Sequence, residues 1–195
     1  MLKPVRRIVT GHDEEGRSVI VRDDISPHQK ENPVHPNRGL TDLWRTFAPT
    51  PDISGDSGSA GDYAGAVGLA EVALNPPPGG TVFRFFQIPP ESESAGKSWE
   101  ERQAQADAVF TGMGAAHNRD REGRHPGMHR TDTLDYIVLL QGTVTLLLDE
   151  EEVDLEPMDV VVQRGTNHGW VNRGVEPALL AGVLISAGSL DHPGP

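Results

Sequence analysis

Two histidines and an aspartate in the C-terminal half of the chain are the residues best suited to do chemistry. Side chains alternate between the two faces of a strand, so His129, Thr131 and Asp135 share one face of the run MHRTDTLDYIVL. In the later run NHGWVN, His168 and Trp170 share a face. If both strands face one interior, two imidazoles and a carboxylate converge there. Such a set suits non-haem iron or another divalent metal.

Four further side chains are candidates for contacts with a substrate. Arg84 lies in the middle of the run TVFRFFQI beside aromatic residues, so it is either on a solvated face or held in a cavity. In a cavity, its planar guanidinium suits a two-pronged contact with a substrate carboxylate. His125 lies four residues before His129 and is a candidate for a substitute ligand or a substrate contact. We expect Trp170 to form a wall of the pocket, with Thr131 beside the catalytic candidates.

These residues fall within two motifs that resemble those of the cupin superfamily. The family's first motif begins and ends on Gly and carries His-x-His and Glu between them; the matching positions here are Gly123, His129, Thr131, Asp135 and Gly142. The second motif has a Gly-Asp pair, a strand, Pro-x-Gly, a His and an Asn; its positions here hold Met158, Asp159, Gln163, Gly165, His168 and Asn172. The resemblance covers residues 79–186.

The resemblance implies an all-β fold, a double-stranded β-helix barrel with a small-molecule site inside. The family's metal set is three His and one Glu. Here Thr131 replaces the second His, and Asp135 replaces the Glu with a side chain one methylene shorter. Two alternatives stay open for the site. It either binds one divalent metal (Fe, Mn, Ni or Zn) through His129, Asp135 and His168, or is metal-free with the two histidines as acid/base groups.

The resemblance also implies enzymes of several kinds, and we predict a lyase that decarboxylates or dehydrates a small acidic or aromatic metabolite. The central catalytic groups would be His129 and His168, assisted by Asp135. A lyase is preferred because a set without the third His is less like that of ring-cleaving dioxygenases. The alternatives are a non-haem iron oxygenase that uses the two-His, one-Asp site and a non-catalytic cupin that binds a ligand.

The site needs strands to position it, and the C-terminal half supplies short runs rich in β-branched residues. Such runs, joined by turns, are typical of a sandwich or barrel. The predicted strands are 69–74, 81–88, 128–141, 143–149, 159–163, 167–172 and 178–185. A capping box at Ser98 predicts one short helix that ends near Phe110.

We predict a single cupin domain over residues 1–195. Its N-terminal hairpin and arm cover 1–78, the barrel core covers 79–186, and a tail covers 187–195. The runs 5–10 and 17–22 form the predicted hairpin, and 26–62 is interpreted as an extended arm pinned by Trp44.

The composition limits the classes of partner. Of 195 residues, 17 are basic and 29 acidic, which gives a net charge of −12. This charge repels phosphate backbones and anionic lipids, so we expect no nucleic acid and no membrane as partner. The absence of cysteine excludes disulfides and Cys-ligated metals. The apolar runs fall short of the roughly 20 residues that span a bilayer, and we expect a cytoplasmic protein.

The face of the 128–141 strand opposite the site carries Leu134, Tyr136 and Val138. An apolar face of this kind needs a cover. Either the N-terminal hairpin or a second copy of the chain covers it, and we predict a homodimer.

Overall fold

In the computed structural model, residues 1–32, 35, 37–48, 60–61 and 72–188 are described. Over these residues the chain forms twelve strands, one α-helix and two 3-10 turns, Glu91–Ser94 and Ala116–Asn118. The helix is α1, Trp99–Gly112. The strands are β1 Arg6–His12, β2 Ser18–Ile25, β3 Gln29–Glu31, β4 Gly39–Thr46, β5 Ala60–Gly61, β6 Thr81–Ile88, β7 Thr133–Gln141, β8 Val144–Leu147, β9 Glu152–Leu155, β10 Val160–Arg164, β11 Gly169–Val171 and β12 Ala178–Ser186.

Two antiparallel sheets build the barrel. The larger has the order β10-β7-β12-β6-β4-β3, with β5 paired to β4, and the smaller has the order β11-β8-β9. Both sheets contribute to one buried apolar cluster, which joins Leu139 and Leu180 of the larger sheet to Val144, Leu146 and Trp170 of the smaller. The predicted all-β class and double-stranded β-helix fold are confirmed.

The alternation expected along β7 is observed. Thr133, Asp135, Ile137 and Leu139 are buried on the inner face, whereas Tyr136 on the outer face is 48% exposed. The predicted strand began at residue 128, but β7 begins at Thr133. Residues 128–132 lie outside the regular strand, where the segment containing His129 makes only isolated bridges.

The N-terminal hairpin is confirmed, because β1 and β2 pair antiparallel. The interpretation of 26–62 as an arm is wrong for β4, which pairs with β6 inside the larger sheet. The barrel sheet therefore begins well before residue 79. The polar residues of β4 do not indicate a buried strand. Asp42 and Arg45 are nevertheless buried, because their opposite charges form an ion pair. The Gly/Ser-rich stretch 55–65 lies almost wholly outside the described residues, as do residues 69–71 and the end of the tail. The strand predicted over 69–74 is wrong for its described residues, 72–74, which form no strand.

Helix α1 begins where the capping box predicts. The Ser98 side chain accepts a hydrogen bond from the Glu101 amide at 3.2 Å, and the Glu101 carboxylate accepts one from the Ser98 amide at 2.7 Å. Val109 and Phe110 of the last helical turns and Met113, which follows the helix, line a cavity. Among the described residues, no helix is long and apolar enough to cross a membrane.

The outer face of the larger sheet carries an apolar row. Val162, Tyr136, Val183 and Phe83 lie side by side on β10, β7, β12 and β6. The hairpin leaves Tyr136 and Val162 exposed, at 48% and 55%. A cover by the hairpin is therefore excluded for these two side chains, and the homodimer stays a prediction.

Candidate functional site

A cavity of about 380 Å³ opens between the two sheets and helix α1. It borders all seven residues that the sequence nominated: Arg84, His125, His129, Thr131, Asp135, His168 and Trp170. These residues come from β6, the loop before β7, β7 itself and the approach to β11. The barrel topology thus gathers positions that are up to 86 residues apart in the chain. Their individual roles stay predictions.

The two histidines are held as a pair by their own backbones. The amide of His129 donates to the carbonyl of His168 at 2.8 Å, and the amide of His168 donates to the carbonyl of His129 at 2.9 Å. This narrow bridge brings the ring centroids to 4.3 Å. Phe110 of α1 packs on the His129 ring, and Trp170 meets the His168 ring edge-on. Aromatic contacts on both sides therefore fix the two imidazoles.

Backbone carbonyls also fix the protonation of both rings. Nδ1 of His129 lies 2.9 Å from the carbonyl oxygen of Gly127, and Nδ1 of His168 lies 3.0 Å from that of Thr166. Since a carbonyl only accepts, Nδ1 carries the proton in each ring and Nε2 keeps a lone pair. Burial lowers the pKa of His129 to about 3 and that of His168 to about 4. Both rings are therefore neutral near pH 7, in the form that binds a metal ion.

Asp135 lines the same cavity but does not join the histidines in a ligand group. Its side chain is buried, and Oδ1 has no hydrogen-bond partner among the described residues. Nowhere in the described part of the chain do three or more His, Asp or Glu side chains come together in a group that could hold a metal ion. The three-residue ligand set predicted from the sequence is therefore not assembled. The short Asp side chain is consistent with this, and the two imidazoles are left as the metal-ligating candidates.

Burial gives Asp135 a protonation state that changes near neutral pH. Loss of hydration raises the pKa of this carboxyl to about 6, against smaller opposing effects of Thr133 and Arg84. The folded protein therefore holds the proton more tightly than the unfolded chain does. The contribution of Asp135 to stability is therefore fully present below the unfolded pKa near 4 and is lost as the pH rises through about 6, by an amount on the order of 3 kcal/mol.

We expect Asp135→Asn to remove this dependence, because an amide has no charge to desolvate. Urea unfolding at about pH 4.5 and about pH 7.5 measures it, with the wild-type chain as reference. The variant should gain stability relative to wild type at the higher pH and little at the lower. An equal difference at both pH values would contradict the raised pKa.

Arg84 borders the cavity, but its guanidinium is already engaged. Its Nε lies 2.8 Å from Oδ1 of Asp42, and its terminal nitrogens donate to Asp42 and to the carbonyls of Ala73 and Leu74 at 2.7–3.1 Å. A guanidinium with these partners cannot also grip a substrate carboxylate in two-pronged fashion. The predicted substrate contact of Arg84 is therefore replaced by a structural one that ties β6 to β4.

The remaining nominated residues have distinct surroundings. Nδ1 of His125 accepts from the Gly127 amide at 3.0 Å, and its Nε2 lies 3.0 Å from Arg102, which pairs with Glu91 at 2.6 Å. His125 thus belongs to a polar cluster away from the histidine pair. Thr131 shares a buried 2.7 Å hydrogen bond with Thr133. Trp170 is a wall residue that packs on Phe86.

The cavity also has lining residues that the sequence analysis did not nominate, and Arg38 is the one with the greatest bearing on ligand binding. Arg38 lines the cavity, although it lies in the segment NPVHPNRG, whose Pro and Gly content indicates only loop. A lone basic residue in such a loop is normally solvated, so no sequence pattern distinguishes it.

Comparison with known proteins gives relatives over nearly the whole chain, although no family model matches it. The cupin-domain-containing oxidoreductase fogC of Aspergillus ruber is 27% identical over 194 residues, which is 94% of this chain and 73% of that protein. The cupin-domain-containing oxidoreductase srdD of Neurospora crassa is 23% identical over 192 residues, 94% of this chain and 76% of that protein.

Among solved structures, a cupin 2 conserved barrel domain protein from Salinispora arenicola matches 55% of this chain and 64% of that protein. Its sequence identity is 16% and its TM-score 0.35.

The two motifs lie where a cupin barrel needs them: the first enters β7 from the cavity mouth, and the second runs along β10 to the approach to β11. The histidine of the second motif, His168, forms the β-bridge to His129 of the first motif. The sheet order, this pairing of the motifs and the cupin-domain proteins similar over 94% of the chain lead to one conclusion. The protein is a member of the cupin superfamily.

Proposed function

We propose that this cupin is an enzyme that oxidises or reduces a small molecule, using one divalent transition metal held by His129 and His168. The observation that carries the proposal is the histidine pair, in which two neutral imidazoles present unprotonated Nε2 atoms beside one cavity. No described residue hydrogen-bonds to either Nε2. The two relatives that match nearly the whole chain are named oxidoreductases, which supports redox chemistry over the lyase predicted from the sequence.

The donor set fits a metal such as Fe or Mn at two positions and leaves the others to solvent and substrate. When bound, the metal would supply a redox-active centre with open positions. The residues of the protein would orient the two ligating rings and handle the proton. The carbonyls of Gly127 and Thr166 hold each ring in the ligating tautomer, as partners of metal-bound histidines commonly do. Phe110 and Trp170 exclude water from the pair, and Asp135 holds or accepts a proton inside the cavity.

Metal analysis of protein purified without added metal tests the proposal. We expect near-stoichiometric iron or manganese, lost to a chelator and restored by the same ion under anaerobic conditions. A screen of small aromatic and aliphatic acids with an oxygen electrode and mass spectrometry then identifies the reaction. A product that differs from its substrate by hydrogen alone, or by added oxygen without loss of water or carbon dioxide, supports an oxidoreductase. Failure to bind any of Fe, Mn, Ni or Zn would contradict the metal-dependent proposal.

One observation favours the lyase as a second candidate. Asp135 is a buried carboxyl with an unpartnered oxygen and a pKa raised to about 6 by burial, so it can give or take a proton near neutral pH. A lyase would release carbon dioxide or water without consuming oxygen, and its activity would survive chelation. The same screen separates the two candidates. A protein that binds small acids and transforms none of them would be a binding cupin.

A further inference from the structure

Arg38 lies in the loop before β4 and immediately precedes that strand. Its backbone is fixed in a turn, since its amide donates to the carbonyl of His35 and its carbonyl accepts from the amide of Asn32, both at 2.8 Å. The residue borders the cavity. A fixed backbone and a side chain beside the cavity make Arg38 a positioned cation rather than a mobile surface group.

Arg38 differs from the other arginines at the cavity because it has no ion-pair partner among the described residues. Among the described residues, no carboxylate forms an ion pair with Arg38 and no group accepts a hydrogen bond from its guanidinium. The other arginines at the cavity are paired: Arg84 with Asp42 at 2.8 Å and Arg102 with Glu91 at 2.6 Å. Burial lowers the pKa of Arg38, and no carboxylate opposes the shift. Arg38 is only half-buried, so its charge keeps some contact with water inside the cavity. A carboxylate that enters the cavity would supply the missing opposite charge.

The rest of the cavity indicates the size and polarity of such a ligand. Besides Arg38 and the histidine pair, the cavity is lined largely by apolar side chains, among them Phe86, Ile88, Val109, Phe110 and Met113. A volume of about 380 Å³ is near the lower end of ligand sites. Arg38 and both histidines border this one cavity. The cavity therefore suits a small apolar molecule with one anionic end.

We propose that Arg38 binds the carboxylate of a small, otherwise apolar substrate and so directs the rest of that molecule toward His129 and His168. This inference rests on the proposed small-molecule function but not on its redox character. A planar guanidinium matches a carboxylate with two parallel hydrogen bonds. The acidic chain, with a net charge of −12, disfavours substrates with several negative charges. Arg38 thereby takes the role that the sequence assigned to Arg84.

Equilibrium binding of trans-cinnamate and its neutral amide, cinnamamide, tests the inference without turnover. Titration calorimetry on the full chain should show that cinnamate binds at least about tenfold more tightly. Arg38→Met keeps the length of the side chain and removes its charge, and should abolish this preference while binding cinnamamide as before. Arg164→Met removes one exposed charge that lies outside the cavity and should keep the preference. Arg38→Met should also unfold at the same or a higher temperature, because the lost charge was unpaired.

Repeating the titrations after chelation separates Arg38 from a bound metal as the holder of the carboxylate. A preference that survives in Arg38→Met but disappears on chelation would assign the carboxylate to the metal and overturn the inference. Equal affinity for cinnamate and cinnamamide in the wild type would also overturn it. A large drop in the unfolding temperature of Arg38→Met would assign the residue a structural role instead. None of these outcomes depends on whether the enzyme proves to be an oxidoreductase.

Discussion

His168→Ala should lower the affinity for a divalent metal by about 100-fold or more and abolish turnover, while the barrel stays folded. One of only two candidate protein ligands is lost, and loss of even an outer-shell partner costs 10- to 100-fold in comparable sites. Folding should survive because the pair is held by backbone hydrogen bonds at 2.8 and 2.9 Å, which the substitution keeps. Anaerobic titration with Co²⁺ or Fe²⁺, read by absorbance, gives the affinity, and thermal unfolding followed by circular dichroism gives the stability.

Two variants make this result interpretable. His117→Ala removes an exposed histidine outside the cavity and should leave metal binding unchanged. His168→Gln fills more of the buried volume and serves if the alanine variant unfolds. Unchanged metal affinity in both His168 variants would move the metal site elsewhere. Wild-type turnover in either would remove His168 from the chemistry.

The common position of the nominated residues at one cavity was largely predictable because it follows from local rules. Alternation along β7 places Asp135 and Ile137 on one face whatever the rest of the fold does. His129, which precedes β7, and His168, which precedes β11, then meet in an isolated β-bridge. The sequence could not show that the three predicted ligands form no common group, since a pattern of residue types does not fix the distance between a carboxylate and two imidazoles.

The partners of the buried arginines were not predictable, because they depend on long-range pairing. Arg84 meets Asp42, which lies 42 residues earlier in a segment whose polar residues argued against a buried strand. Seen alone, each is a charged residue that belongs on the surface. The pairing of β4 with β6 places the two buried charges beside each other, so that they form an ion pair. The position of Arg38 at the cavity was not predictable either, because it lies in a loop, and a loop has no hydrophobic periodicity that could indicate which residues face inward.

Asp42→Ala should destabilise the protein by about 3–5 kcal/mol, the cost of breaking a buried ion pair from one side. Asp42 is fully buried, and its carboxylate lies 2.8 Å from both Arg45 and Arg84. Its removal leaves two buried guanidinium groups beside each other, where they repel. Because a domain has only about 5–15 kcal/mol of stability in total, much of the variant could be unfolded. Urea unfolding followed by tryptophan fluorescence measures the loss.

Matched variants show whether burial, rather than the ion pair itself, sets this cost. Asp23 and Arg6 form an ion pair at 2.6 Å on the hairpin, but both side chains are exposed, so Asp23→Ala should change stability little despite the shorter distance. Combining Asp42→Leu with Arg45→Met and Arg84→Met replaces the buried charges with apolar groups and should recover much of the loss, as apolar replacements of buried ion networks do. If Asp42→Ala cost no more than Asp23→Ala, the charges would have access to water in solution. Strand β4 would then not be an inner strand of the sheet. The positions of Arg38 and Arg84 at the cavity, which depend on the pairing of this strand, would then be wrong as well.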